Sequence, residues 1–225
     1  MIRTVVLDVG ETLTHDDRHW GDWADWLSVP RHTLSALVGA VVVDGRDNAD
    51  AIRPLRPNVD VAAEYAAREA AGRGERLDES DLYEDVRPAL SALQSLGVRV
   101  VVAGNQSAKA GDLLRALSLP ADLVVTSAEW GAAKPSPDFF HQVVGVARAP
   151  AEQTLYVGDH PANDVFPAAA VGLMTAHLRR GPWGHWWADD ETVQQVADYS
   201  IDSLLDLPSL VNPGRRGGSH GRPPR

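Results

Sequence analysis

Near its start the chain carries Val5-Val6-Leu7-Asp8-Val9-Gly10, an apolar run that delivers one carboxylate and turns at once. Four later runs, 98–103, 123–126, 154–158 and 173–177, are likewise apolar at nearly every position. A strand with one wet face alternates polar and apolar residues. Runs that are apolar on both sides belong to a parallel sheet covered by helices on both faces. Helical patterns separate most of these runs, at 88–96 (closed by Gly97), 107–117, 137–147 and 161–171. Strand–helix alternation of this kind predicts right-handed crossovers and an α/β fold with a doubly wound parallel sheet. In such sheets, ligands gather beyond the carboxyl ends of the strands, which is where Asp8 falls.

One interval breaks the rhythm. The stretch between the first and second strands is far longer than a single crossover needs. It holds Trp20, Trp23 and Trp26 at helical spacing, and residues 59–71 are rich in helix formers. The expected organisation is a core made of 1–14 and 86–211, with 15–85 inserted as a helical cap over the sheet edge. The sequence from Asn212 onward, NPGRRGGSHGRPPR, has nothing to bury and is expected to be a disordered tail.

Composition bounds the function. Of 225 residues, 44% are hydrophobic, enough for a full core, and the net charge of −10 argues against nucleic acid as a partner. No apolar run approaches the length of a membrane span, no signal-peptide pattern is present, and there is no cysteine. A cytoplasmic protein without a membrane partner is the expectation. Oligomeric state is open.

Four polar turns fall at the ends of successive strand candidates. Asp8 with Gly10 forms the first. Gly104-Asn105-Gln106-Ser107 forms the second; its N–H groups and the Asn105 amide suit a phosphoryl oxygen. In the third, Lys134-Pro135-Ser136-Pro137, two prolines stiffen the approach to a helix and fix where the ammonium stands. The fourth, Gly158-Asp159-His160-Pro161-Ala162-Asn163-Asp164, flanks a turn with two carboxylates. Acids converging with Asp8 would make an oxygen-rich site suited to Mg²⁺.

This set resembles the haloacid dehalogenase (HAD) superfamily. Members place a nucleophilic aspartate after the first strand, as at Asp8, and a Ser or Thr, often followed by Asn, after the next, as at Gly104-Asn105. A lysine within Lys-Pro-x-Pro matches Lys134, and Gly-Asp with a further Asp after four intervening residues matches Gly158, Asp159 and Asp164. The helical insertion matches the cap of that family. The resemblance implies a hydrolase, most simply a phosphatase of a small phosphorylated metabolite working through an aspartyl-phosphate. Asp8 would be nucleophile and metal ligand, the Gly10 carbonyl a second ligand, and Asp159 and Asp164 further Mg²⁺ ligands. Lys134 would pair with Asp8 and the phosphoryl group, and Asn105 would bind substrate.

Two positions depart from that pattern. Gly10 stands where most phosphatases of the family carry a second Asp as general acid and base, and Gly104 replaces the hydroxyl residue. Glu11, one residue after Gly10, is expected to point elsewhere. Attack on carbon, as in the dehalogenases, is one alternative, which retention of both Asp159 and Asp164 disfavours. A HAD-like fold kept as a binding or regulatory module is the other. The run His15-Asp16-Asp17-Arg18-His19 reads as a solvated linker, and His160 reads as exposed. Trp20, Trp23 and Trp26 read as cap core. Trp183, Trp186 and Trp187 suggest packing against the cap or a dimer contact.

Overall fold

Every residue of the first strand, β1 (Thr4–Leu7), is buried, as an apolar run between two helical layers should be. The computed structural model describes residues 1–212, so all of the Arg-rich tail beyond Asn212 lies outside the described residues. After β1 come three helices, α1 (Asp17–Leu27), α2 (Arg31–Val43) and α3 (Val61–Ala70), and then α4 (Val86–Ser95). The chain continues through β2 (Arg99–Gly104), α5 (Ala108–Ala116), β3 (Leu123–Thr126), α6 (Ser127–Trp130), α7 (Pro137–Ala147), β4 (Thr154–Gly158) and α8 (Phe166–Ala170). It closes with β5 (Met174–Leu178), α9 (Gly181–Trp186), α10 (Glu191–Val196), β6 (Tyr199–Ile201) and α11 (Leu207–Val211).

The six strands form one sheet in the order β3-β2-β1-β4-β5-β6, and every pair is parallel. Direction of winding reverses between β1 and β4, so Asp8 lies at the switch point where a crevice opens. The two faces are packed separately. Val5, Leu7, Val100, Val102, Leu155 and Val157 meet α4 and the C-terminal Leu204 and Leu207 on one side. Val6, Val101, Ala103 and Tyr156 meet Phe139, Phe140 and Val143 of α7 on the other. Alternate residues of one strand therefore serve two cores, which is why the runs show no polar phase. Among the described residues, no single helix is long and apolar enough to cross a membrane.

Two elements differ from expectation. Strand β6 escaped notice because it is three residues long and interrupted by Ser200. The helix expected at 161–171 opens instead as a wide turn over Pro161–Val165, with the Phe166 N–H bonding the Pro161 carbonyl, before α8 begins. A one-residue widening of this type re-aims side chains and clusters at functional sites.

The insertion builds an apolar cluster of its own: Trp23, Leu27, Leu34, Val38, Val42 and Ile52, joined by Trp183 from α9. Its entry and exit run side by side. The His15 N–H bonds the Asp81 carbonyl at 2.9 Å, and the Tyr83 N–H bonds the Leu13 carbonyl at 3.0 Å. Trp183 and Trp187 pack on this helical unit, and Trp186 is exposed.

Below the site, Arg180 ties the layers together. Its guanidinium donates to the Thr12 carbonyl at 2.8 Å and to Asp85 at 2.6 Å. The same Asp85 oxygen accepts from the Ser203 hydroxyl at 2.7 Å and the Leu204 N–H at 2.9 Å. Asp85→Ala leaves the Arg180 charge buried and unpaired, an expected loss of about 3 kcal/mol or more by urea unfolding. A loss within experimental error would mean that this junction is not a point of support.

Candidate active site

Lys134 is the hinge of the site. Its Nζ lies 2.6 Å from Asp8 and 2.6 Å from Asp164, with all three side chains buried. Asn105 fixes the lysine from behind: its amide donates to the Lys134 carbonyl at 2.9 Å and accepts from the Lys134 N–H at 2.8 Å. Its oxygen and one of its two N–H groups hold Lys134, and Asn105 lines the cavity beside the site. The Lys134 ammonium also lies 5.8 Å from the ring centroid of Tyr156, whose hydroxyl donates to the Ala103 carbonyl at 2.8 Å.

Two glycines make room for these acids. A Cβ at Gly158 would stand 2.3 Å from the Asp164 carboxyl carbon, and one at Gly104 would stand 2.5 Å from Asp8 Oδ1. The missing hydroxyl at 104 thus has a steric counterpart, because the Asp8 carboxylate leans into that space. Asp164 also accepts from the His160 N–H at 3.0 Å, an interaction available because the turn is wide. His177, at the end of β5, faces the Asp159 carbonyl at 2.9 Å and steadies that loop; nothing in the sequence marked it out.

Asp8, Asp159 and Asp164 each present an oxygen such that all three lie within 4.8 Å of one another. Three buried carboxylates face one ammonium. Burial pushes Asp8 up to about 6 even against the pull of Lys134, with repulsion from Asp164 adding to the rise. Burial and the charges of Asp164 and Asp8 raise Asp159 well above the carboxylate range. Although burial opposes its charge, Lys134 is held well above the usual lysine value by Asp164 and Asp8. An excess of negative charge on an all-oxygen donor set is what a hard divalent cation relieves, so the residues fit Mg²⁺.

The run 15–19 is not a solvated linker, and this corrects the sequence reading. Asp16 and His19 line a cavity of about 830 Å³ that also takes in Gly10 and Asn105. A Cβ built on Gly10 would stand 3.4 Å from Asp16 Oδ1, so the Asp16 carboxylate occupies the side-chain space that glycine leaves open. Burial, then repulsion from Asp8, pushes Asp16 up to about 6. Glu11 turns away: its carboxylate takes the Asp16 N–H at 3.0 Å and the Tyr83 hydroxyl. His160 is also corrected, since it stacks on Trp183 at 3.6 Å between ring centroids and burial pulls it down to about 4. The place of Asp16 was not legible in that run because proximity to Gly10 depends on how the insertion folds back, and short sequence motifs carry no record of that.

A model of haloacid dehalogenase-like hydrolases matches residues 2–172. The chain belongs to this family. Among curated relatives, it is 33% identical over 130 residues to "Haloacid dehalogenase-like hydrolase domain-containing protein 3" of Xenopus laevis, covering 56% of this chain and 53% of that protein. It is 37% identical over 90 residues to a glyceraldehyde 3-phosphate phosphatase of Methanocaldococcus jannaschii, covering 40% of this chain and 37% of the relative. A ribulose-1,5-bisphosphate 5-phosphatase of Halopiger xanaduensis is 33% identical over 143 residues, covering 60% and 59%. The chain thus spans between about a third and three fifths of the length of these relatives. Among solved structures, a haloacid dehalogenase-like hydrolase of Bacteroides fragilis superposes with a TM-score of 0.70 at 18% identity, covering 92% of this chain and all of that one. An L-2-haloacid dehalogenase of Xanthobacter autotrophicus gives 0.59 at 20% identity, covering 94% and 98%. These likenesses establish the fold of this HAD-like hydrolase.

Charge crowding sets the sign of a stability effect. A carboxyl raised in the folded state stabilises below its unfolded value near 4, and this contribution is lost as pH climbs through the folded value. Buried neutral His19, His160 and His177 act in the opposite sense, so a difference between variants is the clean readout. Without metal, Asp159→Asn is expected to raise Tm at pH 7 by about 3 °C or more, roughly 1 kcal/mol for a chain of this size. The gain should shrink toward pH 4, and the variant should lose the stabilisation that Mg²⁺ gives the parent. A variant less stable than the parent at pH 7 would contradict the crowding.

Proposed function

We propose that this HAD-like hydrolase is a Mg²⁺-dependent phosphatase of a small phosphorylated metabolite, with residues 15–85 acting as its cap. The observation that carries the reading is the Lys134 ammonium set 2.6 Å from both Asp8 and Asp164 in an all-carboxylate site. The phosphatase names of relatives from two archaea support it. Asp8 would attack phosphorus to give an aspartyl-phosphate, while Lys134 balances the charge that spreads over the phosphoryl oxygens. Asp8, Asp159 and Asp164, with the Gly10 carbonyl, would hold Mg²⁺, which when bound neutralises phosphoryl charge that one lysine cannot. Water then releases phosphate from Asp8.

The leaving oxygen needs a proton, and Asp16 is the carboxyl group set to supply it. It fills the space beside Gly10, and its value near 6 suits a group that gives a proton and takes one back near neutral pH. This would answer the missing acid at position 10 with a residue from the insertion. The favoured partner is a small phosphorylated molecule; neither nucleic acid nor a membrane has a part in this reading.

Asp8→Asn should abolish Mg²⁺-dependent hydrolysis of p-nitrophenyl phosphate; residual turnover at the parent rate would sink the reading. Leaving-group dependence tests Asp16. On alkyl phosphates, Asp16→Asn should lose about 10²–10⁴ in kcat, and much less on p-nitrophenyl phosphate, whose leaving group needs little help. Gly10→Asp in that background should restore alkyl phosphate turnover, since its Cβ points at the vacated space. Equal losses on both substrates would remove Asp16 from proton transfer. Halide release from a haloacid that persists in EDTA would instead favour attack on carbon.

A further inference from the structure

Arg68 is the one buried residue of α3, only 3% exposed, and it lines the same cavity as Val9, Gly10 and Asp16. Burying a guanidinium is costly unless an anion meets it. Among the described residues it has no ion pair and no side-chain hydrogen bond, and its buried Nε lacks any acceptor. The nearby acids are engaged elsewhere: Asp22 with Arg76 at 2.8 Å, and Glu75 with the Ser107 hydroxyl. What supports the guanidinium is the face of Trp23, 4.3 Å from its carbon, which holds the fork in place without satisfying its donors.

The other cations that line this cavity are neutralised. Arg18 meets Asp81 at 2.8 Å, Arg76 meets Asp22, and Lys109 meets Glu69 at 2.6 Å. The second buried arginine, Arg180, shows what burial ordinarily demands, with Asp85 and the Thr12 carbonyl both in contact. His19, on the same wall, is pulled down to about 4 chiefly by burial, so it adds no positive charge near neutral pH. One unspent planar cation therefore lines the cavity that reaches Gly10, two residues beyond Asp8.

We propose that Arg68 is the specificity residue of the cap, and that the substrate carries a second anionic group, carboxylate or phosphate, which docks on this guanidinium while the scissile phosphoryl group meets Asp8. The proposal rests on the phosphatase reading and narrows it to doubly anionic metabolites. A planar fork matches either anion in bidentate fashion, and the Trp23 face pre-sets its orientation.

The test uses the full-length protein with Mg²⁺ and three matched substrates: 3-phosphoglycerate, glycerol 1,3-bisphosphate and glycerol 3-phosphate. The parent should favour at least one of the first two over the third by about tenfold to a hundredfold in kcat/KM, mainly through KM, as a charge-assisted contact provides. Which of the two leads tells carboxylate from phosphate. In Arg68→Gln the ratio should collapse toward one, and in Arg68→Lys it should recover in part. No preference in the parent, or the same ratio in Arg68→Gln, overturns the proposal. Should Arg68→Gln fail to fold, the Arg68→Lys ratio decides alone: a value unchanged from the parent overturns it, and a reduced one supports it.

Failure of the phosphatase reading is separable, because it would show as no phosphate release from any ester, p-nitrophenyl phosphate included. Calorimetry of the same three compounds with Asp8→Asn then decides Arg68. Tighter binding of a doubly anionic compound that is lost in Asp8→Asn/Arg68→Gln supports it, and equal binding of all three overturns it.

Discussion

A single ammonium, that of Lys134, stands between two buried carboxylates, and much of the molecule is arranged to keep it there. Asn105, at the end of β2, grips the lysine backbone in both directions, so two neighbouring crossovers are locked in register at the point of chemistry. Gly104 and Gly158 hold back their own side chains so that Asp8 and Asp164 can reach it. A wide turn after β4 brings Asp164 round to the ammonium while its other oxygen takes the His160 N–H. Buried ion pairs are seldom sources of stability, because desolvation consumes the attraction. Here the third carboxylate, Asp159, leaves the cluster under-neutralised. Crowding of this type costs the fold stability rather than adding to it.

The insertion completes what the sheet begins. A parallel sheet offers carboxyl-end loops, and these supply Asp8, Asn105, Lys134, Asp159 and Asp164 from one edge. None of them can roof the crevice. The insertion after β1 lines the cavity beside them and carries an apolar cluster of its own, tied to the sheet by the paired entry and exit segments and by Trp183. The insertion brings two charged groups to this cavity. Asp16 sits close to the sheet edge and presses against Gly10; Arg68 sits deep in the helical layer on Trp23.

The core was legible in the sequence for a physical reason: strands buried on both faces read as unbroken apolar runs, and the polar residues that end them stand out. Asp8, Lys134, Asp159 and Asp164 are brought together as their spacing implied. Strand β6 was too short to register. The chemistry of the insertion was not legible. Asp16 reads as part of a charged, solvent-facing run, and Arg68 as a helix former's neighbour in an alanine-rich helix. What makes each noteworthy exists only in three dimensions: the missing Cβ at Gly10 and, for Arg68, burial without an ion pair among the described residues. The grip of Asn105 on the Lys134 backbone was not legible, since a turn amide aimed outward and one aimed at a neighbouring backbone look alike in one dimension.

The central claim is that Asp8 forms its covalent bond to phosphorus. Acid-quenching the enzyme during turnover of p-nitrophenyl phosphate with Mg²⁺ in ¹⁸O-water, then weighing the peptide that carries Asp8, tests it most directly. The account predicts one phosphoryl group on Asp8, no ¹⁸O in its carboxylate, and the label in the released phosphate. A peptide that stays unmodified throughout turnover would contradict it.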